Sequence, residues 1–176
     1  RAFGAPGWRC TAASLRIAER MALAYASDTR GRSPFFPGVE GERRPTLQLP
    51  TTLPTLDEVL GVEGADGDAF GDLLGRARGR DPWPVLTWHA AMEGGAFFRV
   101  AERLLALCKE RRLRCAPLEE MVAAIRAGGT DRIPVAEVGD RPIPGRSGPV
   151  AVPIGLEPAR WLSRGPAARV SPGRGI

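Results

Sequence analysis

Lysine and histidine are nearly missing from this chain of 176 residues: Lys109 and His89 are the only ones, although basic residues number 25 in all. A single histidine excludes a zinc centre built from several imidazoles within these residues. Aromatic residues make up 6% of the chain and nowhere interleave with arginine, so the surface a single-stranded nucleic acid would need is absent. The net charge of +5 is spread among acidic residues in most segments, and no nucleic acid is expected as a partner. The three cysteines, Cys10, Cys108 and Cys115, lack the spacing of zinc ribbons or redox motifs and read as buried or inert thiols. No apolar run approaches the roughly 18–20 residues that span a bilayer, and no signal peptide is expected. A cytoplasmic protein is expected, with peripheral association on the inner membrane left open. The chain starts on Arg1 without a methionine, and a preceding piece is expected to belong to it.

What is present is enough apolar residue, 43%, for one domain with a sizeable core. The 22 glycines and 17 prolines cluster in 31–50, 61–84 and 128–176 without a period, which marks long loops and excludes collagen or solenoid repeats. A Gly-Trp-Arg turn at 7–9 reads as the exit of a strand lying mostly before residue 1. Thr11 or Ser14 caps a helix running to about Leu23, with Leu15, Ile17, Ala18, Met21 and Ala22 on one stripe. A short strand over 24–27 then leads to Asp28.

The segment TLQLPTTLPT reads as a strand broken by Pro50 and Pro54, and therefore an edge or a loop. Helices are expected at Leu56–Leu60 and 70–78. The run VLTWHA is expected as a buried strand ending at His89, followed by helices over 96–112 and 117–127 with a strand over 113–116 between them. Strand, loop and helix in repeated order predict a parallel α/β sheet or barrel. In such folds working residues sit at the carboxyl ends of strands, where Trp8, Arg9, Ser27, Asp28, Trp88 and His89 all fall.

On these grounds alone His89 is equally a structural residue or a general acid or base. Asp28 pairs with it on the same rim or simply caps the turn SDTRG. Arg9 holds a carboxylate or is solvated. Asp57 and Glu58 are expected in the first turn of a helix, where acids favour the dipole, and carry no assigned chemistry.

The blocks GAPGWRC, YASDTRG with PFFP, LQLPTTLPTLDEVLG and VLTWHAAMEG resemble, in this order, the polysaccharide deacetylase family, within it the branch acting on lipid-linked formamido sugars. The resemblance covers about residues 3–127. It implies that 1–127 is the carboxy-terminal part of a distorted (β/α) barrel, with 128–176 a Pro/Gly-rich extension of edge strands or disordered tail. It further implies hydrolysis of a formyl or acetyl amide on a lipid-linked amino sugar by water on a divalent metal, zinc or similar. The base and metal ligands of the family cannot be placed in this chain, so the amino-terminal half of the barrel is an expected partner.

Carried over residue by residue, Arg9 orients the catalytic base, Asp28 pairs with the histidine, and His89 is the general acid. Trp8 and Trp88 form apolar walls for the sugar, and Arg30 contacts a phosphate or a hydroxyl. Ala91 departs from the acidic residue of the formamido branch, which loosens the substrate more than the family. The competing reading is a carbohydrate-binding fragment or pseudoenzyme without the metal site. From its prolines, the stretch after 128 is expected to add little to the core, with Val135, Val138, Val150 and Val152 at most pinning a surface strap.

Overall fold

The computed structural model describes residues 1–60 and 84–158. The expected helix over 70–78 lies outside them. Three short parallel strands set the frame: β1 (Ala2–Phe3), β2 (Tyr25–Ala26) and β5 (Leu47–Gln48), in the order β1-β2-β5. Helix α1 (Ala12–Arg20) joins the first two. Its start is fixed by a reciprocal box in which the Ser14 amide donates to Thr11 Oγ1 and the Thr11 amide donates to Ser14 Oγ, satisfying two donors that a helix end otherwise leaves open. Leu15 and Ala18 are buried, whereas Ile17, Met21 and Ala22, expected on the same stripe, are exposed.

A second sheet runs in the order β4-β3-β6-β7, from β3 (Phe36–Val39), β4 (Glu42–Arg43), β6 (Val135–Arg141) and β7 (Val150–Pro153). The two sheets are stitched by Phe35 and Gln48, which exchange both backbone hydrogen bonds at 3.2 and 2.9 Å. Pairing of β3 with β6 is parallel, whereas β3–β4 and β6–β7 are antiparallel. The architecture is therefore mixed α/β.

The expectation that the chain after 128 adds little to the core is overturned. Ile143, Val150 and Val152 are buried with Trp8, and Ala151 is buried with Cys10, Leu15 and Val39. The prolines had been read as strand breakers, but Pro134, Pro142, Pro144 and Pro149 flank the strands instead of interrupting them, and β6 itself contains none. β6 thus keeps its backbone donors, and Pro153, the one proline inside these two strands, stands at the last position of the outer strand β7. β7 takes the edge, while β6 lies inside the sheet.

Two expected strands are not formed. VLTWHA joins no sheet, and its bonds go to a loop: the amides of Thr52 and Leu53 both donate to the Val85 carbonyl, at 3.1 and 3.0 Å. Residues 113–116 likewise form no strand. The segment after β5 does become a loop, and a buried one, closing on the short helix α2 (Leu56–Leu60). Helices α3 (Phe98–Glu110) and α4 (Leu118–Ala127) match the apolar periods. Leu104 of α3 packs on Leu56 and Val59 of α2, and Val122 and Ile125 of α4 pack on Phe36, Leu47 and Leu49.

The connection between β6 and β7 leans on α2. Gly145 holds φ +76°, and a Cβ there would overlap the carbonyl of Glu58. Gly145→Ala is expected to destabilise the fold by about 1–3 kcal/mol through overpacking alone, with the left-handed backbone adding to it. Gly129→Ala, at φ +84° with nothing within 4 Å, isolates the backbone part. Equal unfolding midpoints in denaturant for the two variants would show that the contact with α2 is not tight.

Candidate functional site

The carboxyl ends of β1, β2 and β5 feed three loops that meet on one rim, delivering Trp8, Asp28–Arg30 and Thr51. Trp8 is buried, and its backbone sits in the left-handed region at φ +51°, directly after Gly7 at +63°. For a residue with a Cβ that conformation costs about 1–2 kcal/mol, so the surroundings must hold it. They do. Its indole N–H donates to Thr51 Oγ1 at 3.1 Å, and Thr51 Oγ1 lies 2.8 Å from Thr87 Oγ1, which ties the 84–89 segment to the same rim. The guanidinium carbons of Arg30 and Arg146 lie 4.6 and 4.8 Å from the ring centroid, within cation–π range.

Beneath this layer lies a buried ion pair. Arg30 Nη2 is 3.2 Å from Glu58 Oε2, with both side chains 0% exposed. Glu58 Oε2 also accepts the Thr55 amide at 2.9 Å, one half of a capping box that starts α2. Burial lowers Arg30 to about 10, although Glu58 counteracts it, and burial raises Glu58, although Arg30 and the Thr55 amide counteract it. Arg30 was expected to touch a phosphate or sugar hydroxyl. The structure places its guanidinium in the interior, between Glu58 and the Trp8 ring.

His89 lies on the exposed side. Its Nδ1 is 3.4 Å from Asp57 Oδ1, the side chains being 40% and 35% exposed. The His89 amide donates to Oε2 of buried Glu93 at 2.9 Å, and its carbonyl accepts the amides of Met92 and Glu93. The wide turn Met92–Ala96 therefore clamps the backbone while the imidazole faces Asp57 and solvent. Arg146, from the loop between β6 and β7, approaches Asp57 Oδ2 and Glu58 Oε1 at 3.8 Å each.

The expected partner of His89 was Asp28, and here the structure differs. Asp28 is buried, with Oδ1 accepting the Ala5 amide at 2.9 Å and Oδ2 accepting Gln48 Nε2 at 3.0 Å, while Gln48 Oε1 accepts the Asp28 amide at 3.1 Å. Burial raises Asp28, with both of these bonds opposing the shift. The network needs an acceptor at each oxygen. Asp28→Asn sets an amide NH2 against either Gln48 Nε2 or the Ala5 amide, and is expected to cost about 1–3 kcal/mol in denaturant unfolding. An unchanged midpoint would show that Gln48 repacks freely.

Arg9 is exposed, with its guanidinium against Gly148, and no carboxylate pairs with it among the described residues. Trp88, 39% exposed, borders His89 and offers an apolar surface. Trp8 is core, packed with Ile143, Val150 and Val152, and is not an open wall. The site thus takes in Asp57, Glu58, Glu93 and Arg146, to which the sequence assigned no chemistry. The signal for two of them was present in TLDE, a capping-box pattern that fixes Asp57 one residue into α2. Among the described residues no three His, Cys, Asp or Glu side chains gather in a way that could hold a metal ion. No described helix is long and apolar enough to cross a membrane. A hollow of about 360 Å³ between Arg1, Tyr25 and α4 lies at the amino ends of β1 and β2, away from this rim.

Comparison with known proteins places these residues in context. No family model matches the chain. It is 34% identical over 116 residues to a protein of Shewanella sediminis named probable 4-deoxy-4-formamido-L-arabinose-phosphoundecaprenol deformylase ArnD, covering 66% of this chain and 37% of that protein. The protein of the same name from Wigglesworthia glossinidia brevipalpis is 28% identical over 150 residues, covering 85% of this chain and 51% of its own. The matched region thus spans about half or less of these curated relatives.

Proposed function

Taking as premise that part of this chain is related to those deformylases, we propose that it is the carboxy-terminal part of an amidohydrolase removing a formyl or acetyl group from the nitrogen of a lipid-linked amino sugar. The observation that carries the reading is the His89–Asp57 contact at the carboxyl-end rim of parallel strands. An imidazole clamped through its backbone and faced by a carboxylate is placed to donate a proton to a departing amine. Loss of the amine requires that proton, because an unprotonated amide anion is a poor leaving group. Asp57 orients the ring, and Arg146 holds Asp57 from the other side. Trp88 supplies an apolar face to the sugar ring.

Arg9, exposed on the rim, has the fork geometry to orient a carboxylate supplied from outside the described residues. In the proposed whole protein a divalent metal, zinc or similar, is held by residues elsewhere, since the described residues do not fit one. The barrel, of which β1, β2 and β5 would form an arc, and a peripheral position at the inner membrane, where a lipid-linked substrate resides, belong to the same reading.

Formate release from an N-formyl amino-sugar lipid tests the proposal. The complete protein is expected to turn over, and the 176-residue chain alone is not. Turnover by the chain alone would overturn its status as a part. Sugar binding by the complete protein with no release would favour the alternative, a carbohydrate-binding pseudoenzyme.

A further inference from the structure

Helix α3 buries one stripe and leaves a second in solvent. Ala101 and Leu104 are buried, with Val100 and Cys108 partly buried against Leu56 and Val59 of α2. About a quarter turn away lie Phe98 and Leu105, seven residues apart and so one above the other, at 54% and 52% exposure. Exposed Lys109 continues the same stripe. Past the helix Arg112 adopts φ +52°, and the Leu113 amide donates back to the Cys108 carbonyl at 2.8 Å, which turns the chain at the helix end. Leu113 is exposed there, and so are Arg111, Arg112 and Arg114. From Phe98 to Arg114 six basic residues stand against two acidic ones, Glu102 and Glu110, a net +4 where the whole chain has +5. The pairs Arg99–Glu102 and Arg114–Glu120 join exposed side chains, and such pairs are weak.

We propose that this outer face of α3, with the turn at 109–114, docks on an anionic phospholipid bilayer. The inference rests on the proposed hydrolase only for the presence of a lipid-linked substrate; the surface stands on its own exposure and charge. A convex face with single apolar side chains among long cationic ones fits the bilayer interface, where apolar tips enter the acyl boundary while guanidinium and ammonium groups meet lipid phosphates. A nucleic acid would leave those apolar tips without partners, and one aromatic, Phe98, makes no stacking platform. Helix α3 starts two residues after the Met92–Ala96 turn that clamps His89, so one end of the docking face adjoins the rim where a lipid-linked sugar would be reached.

The full chain is sedimented with vesicles of phosphatidylglycerol and phosphatidylethanolamine, or of phosphatidylcholine alone. None carries a formamido sugar, so the outcome is separate from formate release. Binding is expected to the anionic vesicles and not to the neutral ones, and it should fall as salt is raised to about 0.5 M. A cation near such a surface contributes about fivefold, so Lys109→Gln with Arg111→Gln should lower the partition coefficient about 25-fold. Leu105→Ser should lower it about fivefold through the lost apolar contact, with the unfolding midpoint of each variant close to the parent's. Arg20→Gln with Arg132→Gln removes the same charge from exposed positions elsewhere and should leave partition within about twofold. Failure to bind anionic vesicles, equal binding to both vesicle types, or an unchanged partition in the Lys109 and Arg111 variant would overturn the proposal. An equal loss in the Arg20 and Arg132 variant would overturn it by showing a diffuse charge effect, and complete displacement by inorganic phosphate at constant ionic strength would do so by showing a discrete anion site.

Discussion

Replacing Glu58 with alanine is expected to lower the free energy of unfolding by about 3–5 kcal/mol, the largest effect of any single rim substitution. The cost arises because Arg30 stays behind at 0% exposure without the carboxylate it faces at 3.2 Å. The Thr55 amide also loses its acceptor at the start of α2. Bringing the two charges out of water is itself unfavourable, so the pair is not a large net gain over an apolar replacement. Breaking it is what costs. Arg30→Met combined with Glu58→Leu should accordingly recover most of the loss, and a double-mutant cycle in urea at constant slope measures this. A Glu58→Ala midpoint within about 1 kcal/mol of the parent would show that water reaches the site on mutation.

The same burial gives a direction with pH. Glu58 and Asp28 are both raised, so the native chain binds their protons more tightly than the unfolded chain does. Their contribution is complete below the ordinary carboxylate value and is lost as pH rises through the raised folded values.

In the complete protein, His89→Ala is expected to reduce turnover by about 10²- to 10⁴-fold while leaving the unfolding midpoint close to that of the parent, since the side chain is only partly buried. On the proposed reading, in which the carboxylate positions the imidazole and does not bind substrate, Asp57→Asn should lower kcat more than it raises KM. The readout that separates positioning from structure is non-additivity: the double variant should be no slower than His89→Ala alone. Additive losses would place Asp57 in a separate role, and full turnover by His89→Ala would remove the histidine from the mechanism. Asp28, which the sequence had suggested as the partner, is expected to act on stability.

How much of this was legible depended on the range over which each residue acts. The cap of α1 is spelled within four residues, Thr11 to Ser14, and the stripes of α3 and α4 repeat within their own helices, so local pattern sufficed. The rim was legible in part: Trp8 and Asp28 were expected after parallel strands and do follow β1 and β2, whereas the strand expected to end at His89 is not formed. Pairings across the rim were not. An aspartate one residue inside α2 and another after β2 are equivalent in sequence, and only the course of the buried loop 49–55 decides which one faces His89. VLTWHA has the composition of a strand, but a run of apolar residues does not say what accepts its bonds, and here a loop does. Arg146 was hidden in a stretch whose prolines looked like interruptions and are boundaries.

The parallel ladder between β3 and β6 joins Phe36 to Val135 across roughly a hundred positions of chain. Closing a loop of that size costs entropy before any contact repays it, and topologies rich in such contacts fold slowly. On a ribosome β3 therefore emerges long before the strand that covers one of its edges, when its backbone partners among the described residues are β4 and the Phe35–Gln48 bridge. The interval during synthesis, more than the finished molecule, is when that edge stands open to other chains.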